Sequence, residues 1–247
     1  MEKDSRSKVG RQRLCPPENG KGARTERMEI TKRNVEHMLD GSMAAANPTI
    51  EEAVAFTKRA AQYEFAGILA SAYFIRHVAD IAHEAGRKVV SVVDYPMGGA
   101  VNAIRLKAAQ EAFKAGADEL DVSMNISAFM AGEYETVKDE IKAVLELAGE
   151  DKLIKIIYFA TLLTPDQQLK AAELCIESKV PFLKTNTGHG CRSTPEEVRN
   201  IKSHFGDAIK VMVSGGVRNG QQAKEMILAG CDRIATSAPF QILDTFE

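Results

Sequence analysis

Lys88–Val93 reads KVVSVV, and this stretch decides the fold. Four valines surround one serine, so no wet face alternates with a dry one. A continuous β-branched run of this kind suits a strand buried on both faces, as in a parallel sheet. Working outward, the same short apolar segment recurs at Gly67–Ala70, Leu120–Val122, Lys152–Tyr158 (KLIKIIY), Phe182–Lys184, Ile209–Val213 and Arg233–Thr236, with a weak first strand at Val35–Leu39. Helical stretches lie between them. Thr49 caps Ile50–Phe65, Tyr73 opens a helix to about Ala85, and Ala103–Ala115 stops at Gly116. Tyr134–Ala148 is long and amphipathic. Thr164-Pro165 opens a helix to about Glu177, and Thr194-Pro195-Glu196-Glu197 opens another. The last, Gly220–Ala229, ends at Gly230.

That makes eight strands, seven of them followed by an evident helix. Alternating strands and helices imply parallel pairing through crossovers, and eight units close as a (β/α)8 TIM barrel. An open doubly wound sheet is the other arrangement with this alternation. No G-x-G-x-x-G follows an early strand, so its dinucleotide-binding form has little support.

The chain has 247 residues, which fits one large barrel domain, with 45% hydrophobic and 27% charged residues. No apolar run approaches the roughly 20 residues of a membrane helix. The formal charge of −2 argues against general nucleic-acid binding. Cys15, Cys175, Cys191 and Cys231 form no C-x-x-C pair, and the five histidines are dispersed. This pattern gives no metal-site spacing and points to reduced thiols in a cytoplasmic protein. Residues 1–27 stand apart, with eight Lys/Arg, four Asp/Glu and little that is apolar. Such a segment cannot offset its ordering entropy by burial and is expected to be a disordered N-terminal extension, leaving 28–247 as the barrel. It lacks the apolar core of a secretory signal, its acidic residues and weak amphipathicity argue against a transit peptide, and Met28 is favoured as the real start. Nothing in the sequence sets an oligomeric state, and a homo-oligomer is compatible with it.

Barrel sites lie at the C-terminal ends of the strands, which directs attention to Pro181–Gly190, PFLKTNTGHG. Phe182 and Leu183 run straight into Lys184, followed at once by Thr185, Asn186, Thr187 and Gly188. A strand-end lysine can snorkel to water. It can also be an amine in a desolvated pocket, able when neutral to attack a carbonyl as a Schiff-base nucleophile.

FLKTNTG resembles the (F/Y)-(I/V/L)-K-T-S-T-G signature of the deoxyribose-phosphate aldolase family, class I aldolases that use no metal or other cofactor. The similarity covers about Glu36 to Pro239. It implies that Lys184 forms the Schiff base. Asp121 lies between Leu120 and Val122, so strand alternation turns its carboxylate into the barrel. A carboxylate there needs partners. It is either fixed by a buried lysine or a proton relay, and ADELDV resembles the family's A-D-E-V-D-V, which implies the relay. Lys155 has the same inward parity as Ile157 and matches the lysine of the family's L-K-V-I-I strand. It is expected to neutralise Asp121, and this is compatible with a second role as an adjacent cation that favours a neutral Lys184.

Ser214-Gly215-Gly216-Val217-Arg218 resembles the S-G-G-(I/V)-R turn after strand seven, and Ala235-Thr236-Ser237 resembles the G-T-S-S segment after strand eight. Paired glycines let backbone N–H groups approach an anion. With Gly188, the residues Gly215, Gly216, Thr236 and Ser237 are the expected phosphate site, which makes a phosphorylated sugar the expected partner.

Several positions depart from the family. Met212 stands where a second lysine is usual, with Lys210 on the same face one pleat lower. The early D-H-T reads Glu36-His37-Met38, and the V-I-I-E-T stretch becomes Ile156-Ile157-Tyr158-Phe159-Ala160. His189 replaces a phosphate-contacting lysine, and Ala238 a second serine. The resemblance implies reversible cleavage of 2-deoxy-D-ribose 5-phosphate to D-glyceraldehyde 3-phosphate and acetaldehyde. The departures keep two alternatives open: an aldolase for another phosphorylated sugar or keto acid, and a phosphate-ligand binding protein with weak turnover.

Overall fold

The computed structural model describes residues 30–43 and 48–247, and the expected disordered extension, 1–27, lies outside them. The chain runs α1 (Lys32–Glu36), β1 (Leu39–Met43), α2 (Ile50–Ala60), β2 (Gly67–Ala70), α3 (Ile75–Glu84) and β3 (Val89–Val93). It continues with α4 (Asn102–Lys114), β4 (Glu119–Ser123), α5 (Ile126–Met130), α6 (Tyr134–Ala148), β5 (Leu153–Ile157) and α7 (Pro165–Glu177). Then follow β6 (Phe182–Lys184), α8 (Pro195–Phe205), β7 (Lys210–Ser214), α9 (Gly220–Leu228), β8 (Arg233–Thr236) and α10 (Pro239–Asp244). The eight strands are all parallel and close in sequence order, β8 pairing with β1. This is the expected (β/α)8 barrel.

Local chemistry sets the helix starts. Thr49, Thr164 and Thr194 each form a capping box, with Glu52, Gln167 and Glu197 returning the bond to the cap backbone. The helices lay small residues against the barrel wall. Ala53, Ala60, Ala82, Ala109, Ala171, Ala172 and Ala223 are all buried, which lets helices approach the sheet closely.

The first strand is a correction. Val35–Leu39 was expected to be β1, but Val35 lies in α1, started by Thr31, whose side chain accepts from the Asn34 N–H. The strand is Leu39–Met43. Its register with β2 pairs Asp40 with Gly67 and Ser42 with Leu69, so Asp40 and Ser42 face the barrel interior. Polar residues in the inward positions erase the apolar signature by which a strand is read.

Candidate active site

The register fixes which side chains share the barrel interior. Asp121 pairs with Val92 on one side and Lys155 on the other, and Lys184 pairs with Ile157 and Met212. Asp121 and Lys155 are fully buried and Lys184 is 2% exposed. The three expected catalytic residues are thus brought together. Asp121 bridges the two lysines: Lys184 Nζ donates a short hydrogen bond to Oδ2, and Lys155 Nζ donates to Oδ1 at 3.0 Å.

The cluster continues toward the N-terminal end of the strands. Lys155 Nζ lies 2.7 Å from Glu119 Oε2 and 3.7 Å from Asp40 Oδ2. Arg233 Nη2 lies 2.6 Å from Asp40 Oδ1 and 2.9 Å from Glu119 Oε2. Asp40, Glu119 and Asp121 therefore face Lys155, Lys184 and Arg233, three carboxyl groups against three basic side chains. Burial raises the Asp121 carboxyl, but the charges and hydrogen bonds of Lys155 and Lys184 outweigh it and hold it down to about 2. Burial works against the Lys155 ammonium, yet Asp121 and Asp40, with Glu119, push its pKa up. At neutral pH, Asp121 is an anion and Lys155 a cation.

Sequence reasoning missed Asp40, Glu119 and Arg233. Their signal was faint: Glu119 shares the inward parity of Asp121, and Asp40 sits in a strand that was placed four residues early. The carboxylate of the first strand is Asp40, not Glu36, which ends α1. Lys210 does not join the cluster. It is exposed at the start of β7, with Nζ 5.3 Å from the Phe182 ring centroid. Met212 is fully buried beside Lys184.

Beyond the β6, β7 and β8 ends lies an open cavity of about 350 Å³. All five residues expected to hold phosphate line it: Gly188, Gly215, Gly216, Thr236 and Ser237. Gly215 and Gly216 sit at φ +106° and +87°, a conformation that favours glycine. A Cβ on Gly215 would lie 2.9 Å from the Cys191 carbonyl oxygen and 3.3 Å from Gly188 Cα, so two loops meet there backbone to backbone. The Thr236 hydroxyl donates to the Val217 carbonyl at 2.7 Å, tying the β7 loop to the β8 end.

The Lys184 motif also builds the wall. Ser214 N–H donates to Thr185 Oγ1 at 3.0 Å, and Ser193 Oγ, 2.6 Å from Thr185 Oγ1, donates to the Ser214 carbonyl at 2.7 Å. Asn186 donates to Ser193 Oγ at 3.0 Å and accepts from the Thr161 hydroxyl at 3.0 Å. These bonds hold β6 and β7 at a fixed spacing just above Lys184. Across the mouth, Tyr95 reaches from the β3–α4 loop and donates to the Thr187 carbonyl at 2.6 Å. Its loop is pinned by buried Arg105, which pairs with Asp94 at 2.7 Å and also with Glu140.

Among the described residues no group of three or more His, Cys, Asp or Glu side chains could hold a metal ion. No helix among them is long and apolar enough to cross a membrane.

A parallel eight-stranded barrel with a buried lysine–carboxylate pair beneath a glycine-lined cavity is the framework of a barrel lyase. Residues 31–230 match the family model described as DeoC/LacD family aldolase, and the chain belongs to that family of aldehyde-lyases. The chain is 33% identical over 210 residues to the deoxyribose-phosphate aldolase of Staphylococcus carnosus (strain TM300), covering 85% of this chain and 95% of that one. It is 33% identical over 219 residues to the deoxyribose-phosphate aldolase of Thermococcus kodakarensis (strain ATCC BAA-918 / JCM 12380 / KOD1), covering 87% and 98%. Among solved structures, an aldolase designated QR15 superposes with a TM-score of 0.81 at 33% identity, covering 85% of this chain and 94% of that one. The tetrameric deoxyribose phosphate aldolase from Aeropyrum pernix gives 0.81 at 25% identity, covering 87% and 91%.

Proposed function

We propose that the chain is a class I aldolase that reversibly cleaves 2-deoxy-D-ribose 5-phosphate to D-glyceraldehyde 3-phosphate and acetaldehyde. The observation that carries this is Lys184, a strand-end amine hydrogen-bonded to buried Asp121 beside a cavity lined by glycines and hydroxyls. Lys184 Nζ, as the free amine, attacks the aldehyde carbon of the open-chain sugar, and loss of water leaves an iminium. The bond between the second and third sugar carbons then breaks, and its electron pair flows into the iminium to give an enamine. The hydroxyl on the third carbon loses its proton and becomes the aldehyde of glyceraldehyde 3-phosphate. Protonation and hydrolysis of the enamine release acetaldehyde and restore the amine. Asp121, ionised and held by Lys155, accepts and returns these protons through water. Gly188, Gly215, Gly216, Thr236 and Ser237 hold the phosphate, and the S. carnosus and T. kodakarensis relatives carry the same named activity.

Borohydride reduction in the presence of acetaldehyde tests the reading. It should fix a two-carbon adduct on the peptide carrying Lys184, and Lys184→Ala should abolish the adduct. An adduct on Lys155 or Lys210 instead would move the active centre. Met212 favours a second reading, a phosphate-ligand protein with weak turnover. Calorimetric binding of deoxyribose 5-phosphate without product formation would select it.

We extend the proposal to a homo-oligomer in the cytoplasm. The A. pernix relative is tetrameric, and Met97, Val101 and Ile104 are 73%, 68% and 60% exposed. Cys175, Cys191 and Cys231 are free thiols, which suits a reducing compartment. Light scattering on the purified chain measures the assembly.

A further inference from the structure

Among the described residues, three side chains lining the cavity are ionisable, Tyr95, His189 and Arg218, and no carboxylate lines it. Two of the three are joined. Tyr95 Oη lies 2.6 Å from the Thr187 carbonyl and 2.9 Å from His189 Nδ1, with the rings edge to face at 82°. A tyrosine hydroxyl has one proton, and a carbonyl oxygen can only accept. The proton is therefore given to Thr187, and Tyr95 Oη accepts from His189. It follows that His189 Nδ1 carries a hydrogen. Among the described residues Nε2 has no partner, so it is the ring nitrogen left for a ligand.

This tautomer has a chemical consequence. The oxygens of a dianionic phosphate only accept, so such a group can be held by Nε2 only when that nitrogen also carries a hydrogen. The ring must then be an imidazolium, since Nδ1 is already protonated. A neutral ring turns a lone pair toward the anion instead. Tyr95 keeps its part throughout, because burial, reinforced by the negative charge of Asp121, pushes its pKa up.

We propose that Tyr95 and His189 act as one specificity-determining pair on the cavity rim, in which Tyr95 fixes the proton of His189 on Nδ1 and the protonated ring presents Nε2–H to a dianionic phosphate group. The pair makes capture of a phosphorylated ligand depend on pH, where a lysine would give a constant cation. The inference rests on the proposed reading of the cavity as an anion site. Arg218, from the β7–α9 loop, is the fixed cation facing the same space. Arg192 packs its side-chain carbons on Gly216, Cys191 lies in the loop of His189 itself, and the β8 side contributes uncharged Thr236 and Ser237.

The test uses the full chain and inorganic sulfate, whose charge is constant across the range, titrated by calorimetry from pH 5.5 to 8.5. Sulfate affinity of the native chain should fall about tenfold as pH rises. His189→Lys should bind at least as well at pH 8.5 as the native chain does at pH 5.5, with little slope. Tyr95→Phe keeps the ring but loses the acceptor, so affinity at pH 5.5 should fall several-fold and the slope should flatten. A native slope that survives in His189→Gln, or a native affinity independent of pH, overturns the proposal. An unchanged slope in Tyr95→Phe overturns the part given to Tyr95. No sulfate binding at all overturns the inference together with the anion assignment. Borohydride trapping at Lys184 is unaffected by any of these outcomes, so the aldolase reading stands or falls separately.

Discussion

Met212 stands directly across the β6–β7 ladder from Lys184 and exposes none of its surface. The family resemblance puts a second lysine at this position. Here the neighbour is a thioether, and cationic company for Lys184 comes through Asp121 from Lys155, on the β5 side of the barrel.

Met212→Lys tests that arrangement. An added ammonium repels a proton on its neighbour and so enlarges the share of free amine. The rate on deoxyribose 5-phosphate at pH 7 should rise about tenfold, equivalent to about 1.4 kcal/mol, and the pH optimum should move down. Paired pH–rate profiles check this. A rate at pH 7 that drops on introducing the lysine would show that the Asp121–Lys155 pair already suffices.

Acid stability should report on Asp121. Its folded pKa, about 2, lies below the roughly 3.9 of an unfolded aspartate. The stabilisation is therefore nearly complete above about pH 4 and disappears as pH falls through about 2, amounting to about 2–3 kcal/mol. Urea unfolding between pH 2 and 5 should show this slope, and Asp121→Asn should lack its share of it. Identical slopes in both proteins would contradict the ion-pair account.

Arg233→Met removes the partner of Asp40 and Glu119 and leaves both sharing Lys155 with Asp121. Breaking a buried pair from one side costs about 3–5 kcal/mol. The denaturant midpoint should fall accordingly. A loss below about 1 kcal/mol would mean that water already reaches these groups.

What the sequence shows of this fold follows from where its polar residues lie. KVVSVV, KLIKIIY and FLK announce strands because helix-facing and barrel-facing positions are apolar except for one or two charges. LDGSM does not, since its inward residues are Asp40 and Ser42, and the first strand was read four residues early. Lys184, Asp121 and Lys155 could be read as a trio from inward parity and motif. Glu119 and Arg233 could not, because each looks like a surface charge until the barrel closes and brings β4 and β8 within 2.9 Å of one another through these side chains. Tyr95 was invisible for another reason. Its contact with His189 spans ninety-four residues and depends on the course of a loop.

Gly215→Ala should separate ligand holding from chemistry. At φ +106° a side chain strains the backbone by about 1–3 kcal/mol, and the new Cβ presses on the Cys191 carbonyl. KM for deoxyribose 5-phosphate should rise about tenfold or more, while turnover of unphosphorylated deoxyribose changes little. Equal losses on both substrates would place the damage at Lys184 instead of the cavity.

Lys184, at 2% exposure, is among the least accessible amines of the described residues. Reducing sugars and stray aldehydes glycate the lysines that solvent bathes, and those modifications accumulate with time. An amine whose task is to condense with carbonyls would be the first casualty if it stood in the open. Placed at the inner end of a strand, beneath the hydrogen bonds that bind β6 to β7 and the tyrosine that crosses the mouth, it is kept from encounters in bulk solution. The burial that positions the nucleophile therefore also sets its working lifetime.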